Sequence, residues 1–170
     1  QAEVDAGLRG PGAEGRRGRC VVHGDLKAAN LFFGGPADAP ECLLIDFQWA
    51  GVGFGAQDVA YLLLSSAALE LLEDRDALRV LVADAYLGTL RALAPAAAVP
   101  SEVEFWRTLR LAALDYSKVV FGYQLKGRDL DWVRAGERAL SRCAHNRSVE
   151  HLRWLVLAVL DMLDAEDGWL

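Results

Sequence analysis

The chain has 170 residues, 53% hydrophobic and 25% charged, with 18 basic against 24 acidic residues and a net charge of −6. That is the size of one domain with enough apolar surface for a packed core. It excludes a disordered acidic tail and argues against nucleic-acid binding, which needs a basic footprint. Three cysteines, Cys20, Cys42 and Cys143, share no short metal-type spacing, so neither a disulfide framework nor a zinc knuckle is expected. They read as small buried side chains in a reducing, cytoplasmic compartment.

Residues 1–19 are glycine-rich, mixed in charge and without periodicity, which suggests a flexible connector whose Arg16, Arg17 and Arg19 form a solvated patch. They lack the apolar run of a secretory signal. No apolar stretch approaches the roughly 18 residues needed to span a bilayer, so no membrane partner is expected.

Three short β-like runs follow at 20–22, 31–33 and 42–45. The second and third flank a turn-forming cluster at 34–40 and are predicted to pair as an antiparallel hairpin. After the glycine-rich stretch 51–55, strands are expected to stop. From Asp58 onward the pattern is helical. Leu78, Leu81, Val82, Tyr86, Leu90 and Leu93 form one stripe, which Pro95 ends. Ser101 and Glu104 spell a capping box, and the helix after it carries Phe105, Leu109, Ala112, Tyr116 and Val120 on one side. A weaker amphipathic segment covers 129–142. Val149, Leu152, Val156, Val159 and Leu163 form a last stripe, from a Ser148 cap to a Gly168 end. The fold class predicted is α+β, mainly α, with a short hairpin on a helical bundle.

The chemistry concentrates in "VVHGDLKAANLFF" and "CLLIDFQWAGVGFGAQDVAYLL". The first places Asp25, Lys27 and Asn30 on a polar loop tethered by strands at both ends, so a carboxylate there can be held in a fixed direction. Asn30 immediately precedes one hairpin strand and Asp46 immediately follows the other. Antiparallel pairing therefore sets both at the open end, where two oxygen donors converge. Oxygen ligands without His or Cys suit Mg²⁺, which takes one or two protein ligands and fills its octahedron with water and phosphate oxygens. A carboxylate beside a phosphate-chelating Mg²⁺ is the arrangement of a phosphoryl-transfer enzyme. Each of the three, taken singly, could instead be an ordinary turn or strand-end residue.

"HGDLKAAN" followed by "IDFQ" resembles the catalytic and metal loops of kinases with the protein-kinase-like fold. His-Gly-Asp is similar to the aminoglycoside phosphotransferase and choline kinase superfamily. "DFQWAGVGFGAQDVAYLL" is especially similar to its choline-kinase-like and ecdysteroid-kinase-like branch. The matching motifs cover about 21–64. The resemblance implies that Asp25 is the catalytic base and that Asn30 and Asp46 hold Mg²⁺ for ATP. It leaves Lys27 between a phosphate contact and a solvated surface lysine. It implies that His23 braces the loop, and that Asp58 steadies it through backbone N–H groups or else acts only as an acid at a helix start. Trp106, Tyr116, Phe121 and Tyr123 read as core rather than substrate wall, and His145 and His151 as surface residues.

On this resemblance residues 20–170 are the C-terminal lobe of a kinase. The N-terminal ATP-binding lobe is then absent from the chain, since residues 1–19 contain no lysine and are too few for its sheet. The expected function is ATP- and Mg²⁺-dependent transfer to a hydroxyl of a small molecule, with negligible turnover by the chain alone. The alternatives are a non-catalytic binding or scaffold module and a protein kinase. Against a protein kinase, "DFQ" lacks the glycine of that metal motif and no long activation segment follows. Substrate identity and oligomeric state are not readable.

Overall fold

The computed structural model describes residues 17–138, 143 and 148–164. Two small antiparallel ribbons lie against a helical body, in keeping with a mainly helical α+β chain. The first ribbon joins β1 (Arg19–Val22) to β4 (Gly51–Phe54), with Arg19 opposite Phe54 and Val22 opposite Gly51. The second joins β2 (Leu31–Gly34) to β3 (Glu41–Leu44), with Leu31 opposite Leu44. This is the hairpin expected from the turn cluster.

β4 lies within the second glycine run, which was not expected to be a strand itself; after it, strands stop among the described residues, as expected. Its glycines read as loop formers, yet Gly53 faces the β1 ladder in close quarters. A Cβ there would lie 2.9 Å from Val22 Cγ2 and 2.5 Å from Gln57 Oε1. The missing side chain is what lets the strand approach.

The chain then enters α1 (Gly55–Ser66), whose start is capped by Gln57 Oε1 accepting from the Phe54 N–H at 2.8 Å. Short helices α2 (Leu69–Glu73) and α3 (Arg75–Val80) follow, and the latter runs through a π-helical segment, Leu81–Gly88, into α4 (Thr89–Leu93). The long α5 (Glu102–Val119) starts at the expected capping box. The Ser101 N–H donates to Glu104 Oε2 at 2.7 Å and the Glu104 N–H to Ser101 Oγ at 3.2 Å. α6 (Leu130–Arg138) and α7 (Val149–Asp164) complete the described helices.

The core forms where α1, α3, the π-helical segment, α5 and α7 meet. It holds Ala60, Leu64, Leu78, Leu87, Leu109, Ala113, Leu155 and Met162. Phe105, Leu109, Ala112, Tyr116 and Val120 are all buried, as their spacing predicted. Trp106 is buried and Phe121 half-buried, whereas Tyr123 is exposed.

Two other stripes are rotated from their predicted faces. In 78–93 the buried residues are Leu78, Val82 and Leu87, and Leu81 and Leu93 face solvent. The step of five from Val82 to Leu87 belongs to the wider π turn, which a 3.6-residue period cannot anticipate. In α7, Leu155, Ala158 and Met162 face the core, while Val156 and Leu163 are exposed. Residues 154–160 are apolar without interruption, so period alone could not choose a side. Beside this apolar face, polar links join α7 to the body, with Arg110 Nε donating to the Met162 carbonyl at 2.6 Å and Arg75 paired to Asp161 at 2.6 Å.

The cysteine reading also changes. Cys143 is buried, but Cys20 and Cys42 are exposed on the ribbons. His151 is half-buried rather than a plain surface residue, with Nε2 3.3 Å from the Ala67 carbonyl at the end of α1. His145, Gly168, residues 139–142 and most of the connector lie outside the described residues. Within them, Arg17 is exposed and 3.9 Å from Glu104, and Arg19 opens β1. No described helix is long and apolar enough to cross a membrane.

Candidate active site

The loop between β1 and β2 is held by α1. Both carboxylate oxygens of Asp58, in the first turn of that helix, accept main-chain N–H groups of the loop: His23 at 2.6 Å and Gly24 at 2.9 Å. An acid near a helix start is favoured by the helix dipole, and here it also joins two elements. Gly24 has φ of +80°, and a Cβ there would lie 2.3 Å from the Trp49 carbonyl oxygen. Only glycine fits that crossing of the two motif loops.

His23 is buried and used from both sides of its ring. Nδ1 accepts the Asp25 N–H at 3.3 Å, which leaves Nε2 to donate to the Ile45 carbonyl at 2.8 Å. The two partners thus select one tautomer. Phe47 packs on the ring, with centroids 4.6 Å apart. His23 therefore ties the Asp25 loop to the end of β3.

Asp25 is itself buried, at 7% exposure. Its Oδ2 accepts from Lys27 Nζ at 2.5 Å and from Asn30 Nδ2 at 3.2 Å, and the same Nδ2 donates to the Asp25 carbonyl at 2.9 Å. The Tyr61 hydroxyl, one helical turn along α1 from Asp58, also acts on this carboxylate. Burial alone would raise the Asp25 carboxyl, but these bonds and the Lys27 charge outweigh it and hold the group below the usual carboxylate range. Burial, with Asp25 as the second cause, pushes the Tyr61 phenol up. The Tyr61 ring rests edge-on against Tyr116 at 4.6 Å, so this contact runs back to the core.

Asn30 ends a 3₁₀ turn, Ala28–Asn30, directly before β2. Its carbonyl accepts the Ile45 N–H at 3.1 Å, one step beyond the Leu31–Leu44 pair. Asn30 and Ile45 thereby close the open end of the hairpin, and Asp46 is the next residue. Asp46 is exposed and adopts the left-handed conformation, φ 67° and ψ 57°. Among the described residues it is the one non-glycine with positive φ, a cost that Asp tolerates better than most side chains.

This donor set fits Mg²⁺. Both Asn30 bonds to Asp25 use its Nδ2, so they leave its amide oxygen uncommitted to Asp25, and Asp46 carries only a 3.5 Å contact from Gln48 Nε2. No three described His, Cys, Asp or Glu side chains form a metal cage. Two oxygen donors suffice for Mg²⁺, whose remaining positions go to water and phosphate.

Sequence reasoning missed Tyr61 and Ser66 on α1, whose Oγ accepts the Ala28 N–H at 2.8 Å. The available signal was register: Asp58, Tyr61 and Ser66 lie along the helix in the order in which the loop passes it. It also left unweighed Phe47 and Trp49, which are 56% and 68% exposed beside Asp46 and Gly24. An apolar groove of about 430 Å³ opens nearby between β1, α1 and the π-helical segment, lined by Val21, Leu26, Val59, Leu62, Val82 and Tyr86, among others.

A model of the APH phosphotransferase enzyme family matches residues 2–98, more than half the chain. The chain belongs to the APH family. It is thus kin to phosphotransferases of the kinase-like superfamily. The APH match takes in both motif loops, the hairpin and α1, and so every candidate site residue; α5, α6 and α7 lie beyond it. No curated protein and no solved structure matches the chain.

Proposed function

We propose that this APH-family chain carries the base and metal-holding part of an ATP- and Mg²⁺-dependent kinase for a hydroxyl of a small molecule, within the choline-kinase-like and ecdysteroid-kinase-like branch. The observation that carries the reading is the joint placement of a buried, hydrogen-bonded Asp25 and two oxygen donors, Asn30 and Asp46, around one hairpin end. Family membership supports the reaction class, and kinases of this family generally use ATP and Mg²⁺.

Asn30 and Asp46 would hold the ion, which when bound neutralises the charge on the β- and γ-phosphate oxygens. Asp25 then orients the acceptor hydroxyl and takes its proton. The acceptor oxygen forms the new bond to the γ-phosphorus as the bond to the ADP oxygen breaks. In this reading Lys27, which pairs with Asp25, would neutralise charge beside it and meet a phosphate oxygen. His23 and Asp58 act through the backbone, by keeping the loop in register with the hairpin end.

The described strands form two ribbons, and neither carries a lysine. In this reading the lobe that covers the nucleotide phosphates comes from additional protein, and the 170 residues alone turn over negligibly. The experiment is transfer of labelled γ-phosphate from ATP to a panel of hydroxyl compounds by the full-length protein, with and without Mg²⁺. Mg²⁺-dependent labelling of a small molecule supports the assignment. Nucleotide binding without transfer to any hydroxyl would favour a scaffold instead.

A further inference from the structure

The 3₁₀ turn that carries Asn30 is not capped by the residue that precedes it. Its preceding residue, Lys27, is extended and makes no capping bond, because an ammonium has no acceptor to offer a backbone N–H; its Nζ donates to Asp25. The free N–H at the start of the turn, that of Ala28, donates to Ser66 Oγ at 2.8 Å, from the last residue of α1. Ser66 is held in turn by Ser65, a 1% exposed neighbour whose Oγ lies 2.8 Å away. Two residues past Ala28, the Asn30 side chain is 3% exposed and fixed to Asp25.

A side-chain oxygen at the start of a helical turn normally comes from the preceding residue. Here it comes from a different element, so the orientation of the turn is tied to α1. Asp58 fixes the beginning of the same loop through His23 and Gly24, and Ser66 fixes its end. One helix therefore spans the loop.

We propose that Ser66 is a positioning residue for Asn30: its hydroxyl caps the turn from α1 and sets where the Asn30 amide sits. Its consequence for metal binding rests on the reading of Asn30 as an Mg²⁺ ligand; its consequence for the geometry of Asn30 does not.

The test uses the full-length protein with Ser66→Ala, which removes the acceptor, and Ser66→Thr, which keeps it. One readout is solvent exchange of the Asn30 side-chain amide protons by NMR, and the other is the apparent Kd for Mn²⁺ with ATP present, by water-proton relaxation. A neutral hydrogen bond of ordinary net strength corresponds to about threefold to tenfold. Ser66→Ala is expected to speed exchange and weaken Mn²⁺ binding by that factor, and Ser66→Thr to stay within about twofold of the unmodified protein. Unchanged exchange in Ser66→Ala, or a Ser66→Thr chain that behaves like it, overturns the positioning role. An unmodified protein that binds no Mn²⁺ with ATP present overturns the metal reading of Asn30, while the exchange result still decides the role of Ser66.

Discussion

Asp58 grips His23 by its main chain, accepting that N–H at 2.6 Å with one oxygen while the other takes the N–H of Gly24. A single carboxylate thereby makes the first turn of α1 and the start of the β1–β2 loop one unit. Hydrogen bonds to a charged group contribute about 1.5–3 kcal/mol each. Asp58→Ala is expected to lower unfolding free energy by about 3 kcal/mol and Asp58→Asn by roughly half as much, read from urea titrations. Equal stability in all three proteins would remove Asp58 from the support of the loop.

Gly24 tests the same loop by sterics. With φ of +80° and the Trp49 carbonyl 2.3 Å from any added Cβ, Gly24→Ala must displace one of the two motif loops. A loss of at least about 2 kcal/mol is expected. Thermal melts check it, and a substitution without effect would show that the loops do not cross as described.

The α5 capping box supplies a pH dependence. The Ser101 N–H, then the Ser101 hydroxyl, hold the Glu104 carboxyl below its usual range. A depressed folded-state value means that the stabilisation is complete above the unfolded value, about 4.3, and is lost as pH falls through the lower folded value. Ser101→Ala should cost about 1 kcal/mol at neutral pH. Glu104→Gln should flatten part of the stability loss below about pH 4.5, measured by denaturation across pH. The Glu104 side chain is 36% exposed, so solvent screens it and the effect is modest.

Tyr61 tests how far the base depends on α1. Tyr61→Phe keeps the ring against Tyr116 and removes the hydroxyl from Asp25. In the full-length protein kcat is expected to fall about threefold to tenfold with KM for ATP unchanged, the mark of a group that acts on Asp25 rather than on nucleotide binding. An unaltered kcat would make the hydroxyl dispensable.

The backbone placement of the candidate site residues was more legible than parts of the fold around them. Asp25, Asn30 and Asp46 could be placed because a hairpin has a period of two and a definite open end, and the turn cluster at 34–40 marked the other end. The capping box was equally plain, since Ser101 and Glu104 are local partners. β4 was hidden because Gly51 and Gly53 carry no side chain from which a strand pattern could be read; their role appears only against Val22 and Gln57. The face of α7 was hidden because residues 154–160 are apolar on every side. Ser66 and Tyr61 were hidden for a further reason. Their partners, Ala28 and Asp25, are more than 30 positions away, and only the course of the loop past α1 brings them together.

The central claim is that Asp46 holds the metal and Asp25 acts on the acceptor, at one site. The most direct measurement compares Mg²⁺-dependent ATP binding and phosphate transfer in the full-length protein with Asp46→Ala and Asp25→Asn. Asp46→Ala is expected to lose both. Asp25→Asn should bind Mg²⁺-ATP within a few-fold of the unmodified protein, yet transfer at least about 100-fold more slowly. Transfer at the unmodified rate in either variant would contradict the account.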